Sequence, residues 1–350
     1  MTHLWRFIVL LFALLVVQIV QIVHSQPVVT ITAANIHTLE SVQQIDFAAI
    51  QDNAGEINNG WFAVSPDAAH LAVVNREQQV VLLRDDSTVM ARYTVTDAGG
   101  LPATMVDMAF DPTGTLVASV HLATGEYLVA VYHLLTAELT ITRVDRPDFP
   151  LRIWFVDDAI WLEMEPTDYA LTRYVTRLNS DEIIPSGPEN DPNAYLRVGR
   201  VDAPYAITVT QSLQLQRWDL PTGTVTAEAD IAALPGMGAL SNDGRFFTWR
   251  DNESIGLYLL DVEQNSERRI AALGGSYLPF MALSPAADVV LGVNPGGEPL
   301  VTAWISATGQ RIELGEYRLC MRPPDQVRLS ADGTTLVIGC GEGLELWRSA

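Results

Sequence analysis

The chain has 350 residues, of which 48% are apolar and only 18% charged, a composition that excludes a disordered chain and supplies a large core. Its formal net charge is −21, and all 21 basic residues are Arg. So acidic a surface repels phosphate backbones and anionic lipid, so nucleic acid is excluded as the expected partner.

Residues 1–25 read MTHLWRFIVLLFALLVVQIVQIVHS. Arg6 precedes an apolar run from Phe7 to Val23, and Val23 and Ser25 occupy the −3 and −1 positions of a cleavage site before Gln26. This pattern predicts a secretory signal peptide and a secreted or extracytoplasmic protein. The alternative is an uncleaved anchor, because the run is close to the short limit of about 17 residues for a membrane span. Only in that case would a membrane be a partner. Residues 26–36 read as a short lead-in, and 37–350 as one domain.

Beyond the leader one unit recurs. Copies fall at 62–87, 108–139, 153–183, 195–225, 238–268, 281–311 and 327–349. Each opens with a short strand of small and apolar residues, such as Met108-Ala109-Phe110. Ser or Asp then begins a turn filled by Pro, Asp or Gly, as in Ser65-Pro66-Asp67 and Asp111-Pro112-Thr113-Gly114, the residues a β-turn requires. The turn openers are Ser65, Asp111, Asp157, Gly199, Ser241, Ser284 and Ser330, spaced 46, 46, 42, 42, 43 and 46 residues apart. The third and fourth copies are degenerate. Second and third strands follow, and Thr124-Gly125, Thr222-Gly223 and Thr308-Gly309 punctuate strand ends. No amphipathic helix is expected outside the leader. Short strands and turns at a period of about 44 predict an all-β, seven-bladed β-propeller of four-stranded antiparallel blades.

The pattern resembles the WD-repeat family. A Ser-Pro-Asp-Gly-like turn follows the first strand, an Ala-rich second strand comes next, and the fourth copy carries Gln216-Arg217-Trp218-Asp219-Leu220-Pro221-Thr222-Gly223. The likeness covers residues 40–349 and is closest to divergent exported bacterial propellers. Only copy four has a Trp-Asp pair and no Gly-His dipeptide occurs, so most of the family's Asp-His-Ser/Thr-Trp tetrad is missing.

The seventh copy stops at its third strand. Residues 37–47 have strand character and no copy of their own, so they are expected to form the outer strand of the last blade and close the ring. The chain contains two Cys, Cys320 and Cys340. In an exported protein they are expected to form a structural disulfide at one end of the ring, with two buried thiols as the alternative.

Motifs for chemistry are sparse. His37, His70, His121 and His133 show no short metal-ligand spacing, and there is no G-x-S-x-G, P-loop or G-x-G-x-x-G. Asp85-Asp86 and Asp157-Asp158 read as turn acids. The best acidic pair is Glu163 and Glu165, two positions apart on one strand face, whereas paired carboxylates for glycoside hydrolysis must flank the bond from different directions. Asn252-Glu253-Ser254 matches a glycosylation sequon. The expectation is therefore a monomeric, non-catalytic scaffold without cofactor or metal, binding a protein or glycan through face loops or the channel mouth. A lactonase- or glycosidase-like hydrolase with a site in the channel is the alternative.

Overall fold

A computed structural model of the protein describes residues 29–54, 57–156, 158–167, 174–185, 195–197, 205–210, 212–219, 221–232, 235–241, 243–251, 256–273, 280–294, 300–316 and 326–349. The strands form seven four-stranded antiparallel sheets arranged as blades in a ring. Blade one is β2 (Ile57–Val64), β3 (His70–Asn75), β4 (Gln79–Arg84) and β5 (Val89–Thr94). Blade two is β6 (Thr104–Phe110), β7 (Leu116–Ala123), β8 (Glu126–His133) and β9 (Glu138–Val144). Blade three is β10 (Phe149–Val156), β11 (Ala159–Glu165), β12 (Tyr174–Arg177) and β13 (Ile184–Pro185). The degenerate fourth copy is also a complete blade: β14 (Tyr195–Arg197), β15 (Tyr205–Val209), β16 (Gln214–Asp219) and β17 (Thr224–Asp230). Blade five is β18 (Pro235–Leu240), β19 (Phe246–Asp251), β20 (Gly256–Asp261) and β21 (Ser266–Ala272). Blade six is β22 (Phe280–Leu283), β23 (Val289–Asn294), β24 (Leu300–Ile305) and β25 (Arg311–Glu316).

The seventh sheet combines β26 (Gln326–Leu329), β27 (Thr335–Cys340) and β28 (Gly343–Ser349) with β1 (Leu39–Asp46) from the start of the chain. β1 lies inside the 37–47 stretch and runs antiparallel to β28, from Leu39 opposite Ser349 to Asp46 opposite Gly343. First strands of neighbouring blades meet, β2 with β6 and β26, β6 with β10, and β22 with β18 and β26, so they form the inner wall. Composition follows position. β27, covered on both faces, is buried at every residue, whereas outer β17 (TVTAEAD) is mostly exposed and polar.

A blade cannot bury its two faces alone, so the core is divided among the spaces between blades. Each apolar cluster joins two neighbours: blades one and two, two and three, three and four, four and five, five and six, six and seven, and seven and one. The start of the chain enters two of them. Ile31, Ile36 and Leu39 pack between blades six and seven, and Ile45 and Phe47 between seven and one. Within the lead-in, the Ile31 N–H donates to Gly333 O at 2.9 Å and the Ala33 N–H to the Asp288 carboxylate at 2.7 Å.

The expectation of no helix beyond the leader is corrected. Helix α1 (Phe47–Ala54) follows β1 directly. The Asp46 carboxylate accepts the Ala48 N–H at 2.8 Å at its start, and Phe47 and Ile50 pack into the seam. Eight residues are too few to display a helical period in the sequence. Residues 1–28 lie outside the described part, so the leader does too. No helix among the described residues is long and apolar enough to cross a membrane.

The repeated turn has a repeated mechanism. In blade five, Ser241 Oγ donates to Asp243 at 2.6 Å and accepts the Phe246 N–H at 2.9 Å. Ser65 with Asp67, Ser284 with Asp288 and Ser330 with Asp332 do the same, and Asp111 accepts the Thr115 and Leu116 N–H groups itself. Asp157 and Gly199, the openers of blades three and four, lie outside the described residues.

The turn between third and fourth strands needs one left-handed residue. Gly223 (φ 64°), Gly309 (φ 70°) and Asn265 (φ 47°) fill it in blades four, six and five, but blade two uses Ala137 (φ 56°). Ala137 is exposed, so glycine there would relieve about 1–2 kcal/mol of left-handed strain against about 0.5–1 kcal/mol of added chain freedom. Ala137→Gly is expected to raise the urea unfolding free energy by about 0.5–1 kcal/mol. An unchanged or lower midpoint would contradict this.

Candidate functional site

Charged side chains are buried at and behind the inner wall. Asp107 on β6 is buried, and its Oδ2 accepts the Ile153 N–H at 3.0 Å, an amide on the free inner edge of β10. One carboxylate thereby ties blade two to blade three. Burial pushes its pKa up to about 6, although the Arg328 and Arg152 guanidinia pull the other way. Arg152 Nε in turn lies 3.5 Å from Glu163 Oε2 on β11, and Glu163 is 1% exposed.

The predicted acidic pair does not become a reactive pair. Glu163 is neutralised inside the wall by Arg152, while Glu165 ends β11 opposite Phe149 and is half-buried. Asp107, which the sequence did not single out, is the acid that crosses from one blade to the next. Its partners Ile153 and Arg328 are remote in the chain, so no local motif marks it.

The histidines are not brought together. His121 and His133 sit on β7 and β8, but His121 faces Leu128 and His133 faces Leu116, at opposite ends of the strand pair. His121 is fully buried; its Nε2 lies 2.8 Å from Ser119 Oγ, which is 3.1 Å from the Tyr93 hydroxyl of blade one. Burial lowers the His121 pKa to about 4 and raises that of Tyr93. A Ser–His pair sealed from water is a structural tie between blades one and two. Among the described residues no group of three His, Cys, Asp or Glu could hold a metal.

Other predicted positions have structural roles. Asp85 Oδ2 pairs with Arg348 Nη2 at 3.1 Å across the seam, and Asp86 accepts the Thr88 N–H within its own turn. Cys340 ends β27, fully buried; Cys320, Asp157 and the sequon Asn252-Glu253-Ser254 lie outside the described residues. In blade four, Trp218 Nε1 donates to Thr208 Oγ1 at 2.8 Å, which retains the Thr–Trp arm of the tetrad in the copy that keeps the Trp-Asp pair.

Exposed apolar side chains occur on both faces, Leu135 (80%) in the β8–β9 turn on one and a set of three on the other. Antiparallel strands alternate direction, so connectors between blades and turns between second and third strands share a face. On it, blades two and three expose Leu101 (65%), Leu122 (41%) and Phe149 (41%). Thr104 and Tyr127 flank Leu122 on either side, and Phe149 packs edge-on against Tyr127 at 6.0 Å. The Thr124 hydroxyl donates to Asp97 at 2.7 Å and holds the Leu101 connector against the neighbouring turn. Sequence reasoning missed these residues. The one local signal was Leu101, a large apolar side chain in the Gly99-Gly100-Leu101-Pro102 turn.

No protein-family model matches the chain, and no curated protein matches it. Solved structures do. One chain from "Crystal Structure of Mitotic Checkpoint Complex" superposes with a TM-score of 0.61 over 93% of this chain and 94% of its own, at 12% identity. At that identity the likeness speaks for the fold. The fold is a seven-bladed β-propeller. In this propeller Asp107 ties blade two to blade three, while Arg152 and Glu163 pair within blade three.

Proposed function

We propose that the chain is an exported, non-catalytic propeller that binds a protein partner through the loops of one face. The observation that carries this reading is the exposed Leu101, Leu122 and Phe149 on the connector face of blades two and three. Several exposed apolar side chains on one face of an acidic protein are the kind of feature that marks contact surfaces. The inner-wall groups, by contrast, are engaged in the fold: Glu163 by Arg152, and Asp107 by the Ile153 amide. Likeness to a chain crystallised within a protein complex agrees with a scaffold role.

Export rests on residues 1–25, and the Cys320–Cys340 disulfide belongs to the same proposal, since an oxidising compartment would form it. The test is recovery of the protein from the exported fraction after chemical cross-linking, with mass spectrometry of its amino terminus. An amino terminus at Gln26, no thiol titrating in denaturant and a protein cross-linked through the connector face are expected. A chain retained in the cytoplasm with two free thiols would contradict export and the disulfide. Cross-links only to glycan, or to none but the opposite face, would contradict the docking reading.

A further inference from the structure

The apolar surface on blades two and three has a definite electrostatic setting. Asp97 lies beside it, hydrogen-bonded by the Thr124 hydroxyl and by the Gly99 and Leu101 N–H groups. Those bonds hold its carboxyl below the ordinary carboxylate range, so it stays ionised. Asp145 is exposed one position after Val144, which pairs with Tyr127 beneath Phe149. Asp148 directly precedes Phe149 and accepts hydrogen bonds from Thr167 and Tyr174.

The basic residues nearby offset these charges only at Asp148, where the Arg146 guanidinium lies close enough to lower the carboxyl's pKa. Arg143 is paired with Glu126 at 3.2 Å. Arg146 Nη2 donates to Ser180 O at 2.9 Å and stacks its guanidinium over Tyr174. Negative charge at Asp97 and Asp145 therefore flanks the exposed apolar residues.

We propose that this surface docks an extended segment of a partner protein, carrying an aromatic or aliphatic anchor flanked by Arg or Lys. The inference rests on the protein-binding reading above and adds the place and the chemistry. The anchor covers Leu101, Leu122 and Phe149, burying apolar area that is otherwise in water. The flanking cations meet Asp97 and Asp145, which set orientation and on-rate more than total affinity. An anionic bilayer, the other surface an apolar patch could enter, meets the same carboxylates with repulsion.

The test is selection from a random peptide display library on the full chain, followed by titration of the enriched peptides. Peptides with an apolar anchor between basic residues are expected. Leu101→Ser/Leu122→Ser should weaken them about tenfold or more. Asp97→Asn/Asp145→Asn should weaken them about threefold to tenfold at low salt and flatten the salt dependence. Leu101, Leu122 and Asp145 are exposed, and Asp97→Asn keeps an acceptor oxygen for the Thr124, Gly99 and Leu101 donors, so melting temperatures should remain close to that of the parent and separate lost binding from lost folding. Enriched peptides that bind both variants as tightly as the parent would overturn this site while leaving protein binding in place. Acidic enriched peptides would overturn the charge argument. No enrichment, together with binding to phosphatidylglycerol vesicles, would overturn both readings.

Discussion

Deleting residues 29–46 is expected to abolish the single cooperative unfolding transition of the ring. The deletion leaves blade seven with β26, β27 and β28 alone, and β28 with a bare edge. It also removes Ile31, Ile36, Leu39 and Ile45, each at most 3% exposed, from the clusters on both sides of that blade. Losing one such side chain costs about 2–5 kcal/mol, so four together cost about 8–20 kcal/mol, as much as the roughly 5–15 kcal/mol that holds most domains folded. A synthetic peptide of residues 29–46 added in trans should restore the transition. A truncated chain that melts like the parent would show that the seam is dispensable.

The second large effect is in acid, where two buried groups act in opposite directions. His121 has an ordinary pKa of 6.5 and a folded value of about 4. Above about pH 6.5 its ring is neutral in both states. As the pH falls from there toward 4, the unfolded chain binds a proton that the folded chain refuses, and stability declines by about 3 kcal/mol. Asp107 shifts the other way, from 3.8 to about 6. Below 6 the folded chain holds a proton that the unfolded chain still releases, so acidification toward 3.8 adds about 3 kcal/mol. The two contributions largely cancel in the parent.

Single variants should separate them. Compared with the parent, His121→Gln is expected to gain about 3 kcal/mol of relative stability between pH 7 and pH 4, and Asp107→Asn to lose about as much. Urea unfolding at a series of pH values measures both. Parallel curves for parent and variants would mean that neither group titrates across a buried environment.

The architecture was legible because its signals are local. Ser65, Asp111, Ser241, Ser284 and Ser330 each announce a turn whose hydrogen bonds lie within five residues, and the turns repeat at even spacing. Even the missing strand showed itself, as an unmatched stretch at 37–47 beside an incomplete last copy. What stayed hidden depends on residues remote in sequence. α1 is short, and its apolar side face is defined by blades one and seven rather than by its own period. Asp107 resembles any strand acid until Ile153 and Arg328 are brought to it. The Ser119–His121 tie needs Tyr93 from the preceding blade. Leu122 and Phe149 look like core positions in two strands of a β-protein, and only the packing of adjacent blades leaves them in water.

The central claim is that the two ends of the chain form one blade with the same standing as the other six. Native-state hydrogen exchange tests it on the intact protein. Amides of β1 that bond to β28 should be protected as strongly as those of β7 and β27, and should open only with the whole ring. Exchange of β1 orders of magnitude faster than β7, with the remaining blades still protected, would contradict it.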